Sequence, residues 1–197
     1  MNIFEYNSDY HKNAYMNWRI RETISGTFLM MSEGYFSSVE INIKNILEDN
    51  WDKKADSLIF PVLFNFIHAM ELSLKAILCS IENLLGQKNN HIQNGHDIRQ
   101  LYNTIISRLR NKGLKKDIEQ FIEVECIIRQ IYQKTNLMDF ARYPIDAHKS
   151  GHFYIKEYEN VVVDLEVLLH YVEICKDVLL RMGDYYNYKV IEGEAII

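Results

Sequence analysis

Apolar residues recur along this chain at intervals of three and four, the period of a helix with one buried face. Residues 10–31 carry Tyr15, Trp18, Ile24, Phe28 and Leu29 at that spacing, and residues 35–47 carry Val39, Ile43, Ile46 and Leu47. The pattern predicts two helices, with Gly34 as the break between them. The polar run 50–54 reads as a connector. The strongest periodicity spans 57–85, through Phe66, Met70, Leu74, Ile77, Ile81 and Leu85. Asp56 or Ser57 can cap this helix, Pro61 is tolerable in a first turn, and Gly86 stands where a glycine just past a helix belongs. At about 29 residues it would reach roughly 43 Å and form the spine of the domain.

Residues 87–95 have no apolar period and end in Asn94-Gly95, so they read as a loop. Asp97 then opens a helix to about residue 110, with Ile98, Leu101, Ile105 and Leu109 inward and Gly113 beyond its end. A further helix is expected over 116–132, a polar loop over 135–156, and a last helix over 157–186 that begins on Val161, Val162 and Leu165. The signals weaken from Asn187 onward, where a short strand or a disordered tail is expected. No repeat or linker composition divides the chain. The expected architecture is all-α: an up-and-down helical bundle over 56–186, a helical extension over 1–55 packed on it, and a tail over 187–197.

Composition narrows this picture. With 197 residues the chain can bury a core without disulfides or metal. Its net charge of −5 argues against broad wrapping of nucleic acid but leaves room for a local basic contact. Cys79, Cys126 and Cys175 lack pairing spacing and read as reduced, buried thiols of a cytoplasmic protein. Residues 1–15 hold no apolar core of a signal peptide, and the apolar run 58–81 is interrupted by Asn65, His68, Glu71 and Lys75. That run reads as a buried bundle helix rather than a membrane span.

Three polar patterns carry the candidate chemistry. His68, Glu71 and Lys75 share one helical face, with Glu71 and Lys75 in the favourable i,i+4 order. Taken alone they are a helix-stabilising group at the rim of the core. His96 and Asp97 stand at the start of a helix, where Asp97 is a natural cap. Arg142, Asp146 and His148 lie in the polar loop before the last helix. A guanidinium and a titratable imidazole can together cut RNA without metal, the first steadying phosphate charge and the second moving protons. His91, His96, His148 and His152 offer no ligand pair one helical turn apart, so no metal site is expected. No glycine-rich phosphate loop or Gly-x-Ser-x-Gly is present, and no cofactor is expected. Tyr185, Tyr186 and Tyr188 can stack bases or close the end of a bundle.

In their order and separation, His68 to Ala76 (His-Ala-x-Glu-Leu-x-Leu-Lys-Ala), Gly95 to Ile98 (Gly-His-Asp-Ile) and Arg142 to Pro144 (Arg-Tyr-Pro) resemble the HEPN superfamily of helical domains. The resemblance covers about residues 58–180. It implies a HEPN-like bundle and, in many such proteins, a metal-independent endoribonuclease marked by Arg, four to six residues, then His. Arg142 and His148, five residues apart, fit that signature, although Tyr143 stands where the family usually has a polar residue. The implied setting is a bacterial toxin or phage-defence system, with a homodimer, RNA as substrate and an antitoxin or operon-encoded partner. The alternative it leaves is a non-catalytic module for dimerisation, partner or nucleotide binding, with Arg142 bonded to a carboxylate such as Glu71.

Overall fold

The structure, a computed structural model, describes residues 3–16, 23–87 and 96–194. Among them the fold is all-α: α1 (Ile24–Glu48), α2 (Ala55–Leu84), α3 (Ile98–Asn111), α4 (Lys115–Gln120), α5 (Ile122–Lys134), α6 (Phe153–Lys156) and α7 (Leu165–Ile191). The spine helix is α2, packed against α1, α3 and α7, while α5 closes against α3 and α7. It is long and apolar enough to cross a membrane, and half of its most apolar window is buried against its neighbours.

The two helices expected over 10–31 and 35–47 are replaced by one, α1, which starts at Ile24 and runs through Gly34. Its buried positions explain the continuity. Ser25, Leu29, Ser32, Phe36, Val39, Ile43 and Ile46 step by four and three without interruption. Two of those positions are serines, which hid the period. Ser32 bonds across to the Ala69 carbonyl at 3.0 Å and to the Ser73 hydroxyl, so its polarity is satisfied inside the core. Gly34 lies on the outer side, where a methyl group would touch nothing. Among the described residues upstream, a 3-10 turn is the only helical element, at Tyr10–Lys12, and Tyr15 is exposed. Trp18 and the loop positions 88–95, with His91, lie outside the described residues.

The spine helix starts two residues before Ser57, with Lys54 at its cap position and no side-chain cap bond. Pro61 therefore sits in the second turn. Gly86 and Gly113 adopt the left-handed backbone that ends α2 and α3, as expected (φ +64° and +72°). The helix expected over 116–132 is broken in two at Phe121, whose ring is fully buried and whose backbone leaves helical geometry (φ −94°, ψ 2°). The last helix begins at Leu165 instead of 157. Asp164 accepts the free N–H groups of Glu166 and Val167, and Val162, 82% exposed, is not part of a helical face. At its far end α7 continues through the region expected as a tail to Ile191, where Gly193 (φ +66°) follows. Tyr186 is almost wholly buried, with its hydroxyl bonded to Asp117, so it closes the bundle end. Of the thiols, Cys79 and Cys175 are buried but Cys126 is exposed on α5.

Helices α1 and α7 meet closely where Gly183 faces Leu29. A methyl group on Gly183 would fall 2.3 Å from a Leu29 methyl carbon, and Leu29 is itself buried. Gly183→Val should therefore cost about 1–3 kcal/mol through overpacking. Gly34→Ala should stabilise by about 0.5–1 kcal/mol, because it removes backbone freedom in an open helical position. Urea denaturation of both variants with unchanged m-values checks the pair.

Candidate functional site

The site is built on a single stripe of α2. Phe64, His68, Glu71 and Lys75 follow one another at four, three and four residues and so lie on one face. Glu71 is nearly buried there, its side chain 7% exposed, and it anchors three neighbours. Lys75, itself almost buried, donates to Oε1 at 2.7 Å. His96 Nδ1 stands 2.9 Å from the same oxygen, and His68 Nδ1 lies 3.7 Å from Oε2. Burial pushes the Glu71 carboxyl up, but the imidazole of His68, the bond and charge of Lys75 and the charge of His96 outweigh it, leaving its pKa at about 2. The carboxylate is ionised under all ordinary conditions.

An ionised carboxylate only accepts, so His96 Nδ1 must carry the proton it shares with Glu71. Nε2 takes no part in the Glu71 contact, and the His96 side chain is 85% exposed. This is the carboxylate–imidazole arrangement that orients a general base. Its position is set by the start of α3. Asp97 caps that helix by accepting from Gln100 N at 2.9 Å, and also accepts from the Tyr132 hydroxyl at 2.6 Å. Arg99 lies over the Tyr132 ring at 3.9 Å. Burial and the Asp97 bond drive the Tyr132 phenol far up, so it remains a donor to Asp97.

His68 is held by aromatic rings on both sides. Its ring stacks on Phe64 (5.7 Å, 6° between planes) and meets the edge of Tyr35 from α1 at 4.7 Å. Arg142 reaches the other end of the stripe. Its guanidinium lies 5.5 Å from the Phe64 ring centroid and 5.3 Å from that of Tyr143, and the side chain is exposed. Tyr143 thus supplies the second ring for Arg142. The described partners of Glu71 are Lys75, His96 and His68, and Arg142 is not among them.

The polar loop before α7 is an ordered turn. Ile145 pairs with Gly151, and the Asp146 carboxylate accepts from the backbone N–H groups of His148 and Ser150, each at 2.9 Å. The bond from Ser150 chiefly holds the Asp146 carboxyl below its ordinary range, and Lys149 takes the left-handed backbone (φ +61°). Tyr154 closes the base, donating to the carbonyls of Phe140 (3.0 Å) and Tyr143 (3.2 Å) while packing on Phe60 of α2. This geometry puts His148 at the exposed tip and Arg142 below the base. No described hydrogen bond or ring contact joins the two. His152, beneath the turn, is buried with its Nε2 3.9 Å from Asp139 Oδ1 and no hydrogen bond to either ring nitrogen among the described residues.

The structure therefore brings His68, Glu71, Lys75 and His96 together, with Asp97 behind them and Arg142 one ring away. Asp146 and His148 stand apart. Sequence reasoning missed Phe64, Tyr35 and Tyr154, of which only Phe64 had a signal, four residues before His68. Among the described residues no three His, Cys, Asp or Glu side chains gather as metal ligands. Comparison of the chain with protein-family models, with characterised proteins and with solved structures finds no match.

The depressed Glu71 pKa fixes a sign. A carboxylate whose folded pKa lies below its ordinary value of about 4.3 adds stability above that value and loses it as pH falls toward about 2. Glu71→Gln should destabilise by on the order of 3 kcal/mol at neutral pH, because it leaves the Lys75 ammonium buried without a counter-charge. The gap between parent and variant should shrink as pH falls from about 4.5 to 2. Urea titrations at stepped pH read both effects.

Proposed function

We propose that this chain is a metal-independent endoribonuclease of the HEPN type, with its proton chemistry centred on Glu71, His96 and His68. The observation that carries the reading is one ionised, nearly buried carboxylate with two imidazoles at its two oxygens, His96 at 2.9 Å and His68 at 3.7 Å. Cleavage by a neighbouring 2′-hydroxyl needs one group to take that proton and another to give one to the departing 5′-oxygen. His96 Nε2 takes the first proton as O2′ attacks phosphorus. His68, as imidazolium, protonates the 5′-oxygen as its bond to phosphorus breaks, leaving a 2′,3′-cyclic phosphate. Arg142, exposed over Phe64, binds the phosphate and stabilises its added charge. The motif order His68–Ala76, Gly95–Ile98 and Arg142–Pro144 supports the HEPN assignment, and with it a bacterial toxin or defence role beside an antitoxin or operon-encoded partner.

A homodimer fits the apolar side chains that α7 leaves exposed, Val167, Tyr188 and Ile191 among them. A second reading, a non-catalytic partner-binding module, draws on the amino-terminal segment, where Ile3, Tyr6 and Met16 are 69–90% exposed.

His96→Ala and His68→Ala should each slow RNA cleavage by at least about 100-fold with the fold intact by circular dichroism. His148→Ala should retain activity, and a chelator should leave the parent unchanged. Loss of activity in His148→Ala with full activity in His96→Ala would move the chemistry to the turn. No cleavage by the parent protein, with 2′,3′-cyclic ends absent, would favour the partner-binding reading.

A further inference from the structure

The outward face of α3 differs in charge from the rest of the chain. The protein has 27 acidic and 22 basic residues, yet α3 (Ile98–Asn111) contains three arginines and no acid. Its inner side is wholly apolar, on Ile98, Leu101, Tyr102, Ile105, Ile106 and Leu109. The outer side carries Arg99, Gln100, Asn103, Ser107 and Arg110, all exposed, with Thr104 and Arg108 partly so. Six of these residues (Arg99, Gln100, Asn103, Thr104, Ser107 and Arg108) line a shallow cavity of about 470 Å³ that begins at Asp97, beside His96. Apart from the Asp97 carboxylate at its start, the polar side chains are hydroxyls, amides and guanidiniums, the groups that bind phosphate oxygens and ribose hydroxyls.

The arginines are placed in different ways. Arg99 is fixed over Tyr132 and donates to Asn136 Oδ1 at 3.2 Å. Arg108 is held 3.5 Å from the buried Glu82. Among the described residues, neither Arg99 nor Arg110 has a carboxylate within ion-pair distance. Two cations outside any described ion pair on one helix face form a local positive strip in an acidic protein. From His96 to Arg110 the strip runs about 21 Å at 1.5 Å per residue, enough for a few nucleotides.

We propose that this face of α3 is the track for the single strand of RNA that flanks the scissile phosphate, leading it to His96. The assignment rests on the Glu71–His96–His68 reading for its direction. Charge complementarity and continuity with that cluster name the occupant as a ribose-phosphate chain. Arg99 and Arg110 contact phosphates, and Gln100, Asn103 and Ser107 contact sugar and phosphate oxygens.

The test is fluorescence anisotropy of the full-length protein with a labelled 2′-O-methyl decauridylate, which lacks the attacking hydroxyl and so is not cut. In Arg99→Gln/Arg110→Gln, binding should weaken, and the slope of log K against log salt should fall in magnitude by about 1.4, some 0.7 for each lost phosphate contact. Lys44→Gln/Arg181→Gln removes the same charge elsewhere and should bind as the parent does. The track is overturned if the α3 variant binds with the parent's affinity and slope, or if the control weakens binding equally. It is also overturned if the decauridylate does not bind the parent while a labelled decaglutamate peptide does, which would make the face a dock for an acidic protein. Cleavage assays separate the two proposals. His96-dependent cutting that ignores the α3 variant sinks only the track. Binding along α3 by a protein that cuts no RNA sinks only the Glu71–His96–His68 reading.

Discussion

The fold is organised around a carboxylate buried in the middle of its longest helix. Glu71 lies in the core-facing part of α2, among residues that are almost all apolar. An isolated charge there would cost several kcal/mol, so its neighbours are constrained. Lys75 stays one turn away with its ammonium turned back and supplies the counter-charge, and His96 comes across from the start of α3 to the same oxygen. The second contact ties the position of α3 to α2. It also explains the tight fastening at the α3 start, where Asp97, Gln100, Tyr132 and Arg99 form one connected cap. The contact that helps offset the burial of Glu71 also fixes which nitrogen of His96 faces it.

The sequence carried the helix-period core and two of the three site motifs in readable form. The spine helix, the Asp97 cap and the glycines ending α2 and α3 were legible, since each depends on local chemistry. What escaped depends on tertiary contacts. Ser25 and Ser32 occupy core positions of α1 because α2 and α7 satisfy or tolerate their hydroxyls, and no pattern of apolar residues can show that. Phe121 breaks a helix because its ring has a place in the core. The Arg142-to-His148 spacing looked like a catalytic pair as a linear motif. The Asp146 carboxylate folds the segment into a turn, and no described hydrogen bond or ring contact joins Arg142 to His148 within it. The convergence of His68 and His96 on one carboxylate, 25 residues from Glu71 to His96 along the chain, was not legible at all.

The composition of the polar cluster supports the proposed proton chemistry over a simple fastener between α2 and α3. A fastener needs one cation for one buried carboxylate, and Lys75 already fills that role at 2.7 Å. Replacing such a pair by apolar side chains is often neutral or stabilising, so adding further titratable groups is a poor route to stability. His96 adds little burial, since most of its ring faces solvent, and His68 sits at a longer distance with its ring stacked rather than bonded. Two imidazoles that contribute weakly to packing, held at the two oxygens of a carboxylate that stays charged, are poorly explained by stability and well explained by proton transfer. The exposed guanidinium of Arg142 at the end of the same stripe adds the positive charge that a phosphate requires. The positive strip on α3 begins beside the exposed imidazole of His96, so the proposed RNA path and the proposed proton acceptor adjoin one another.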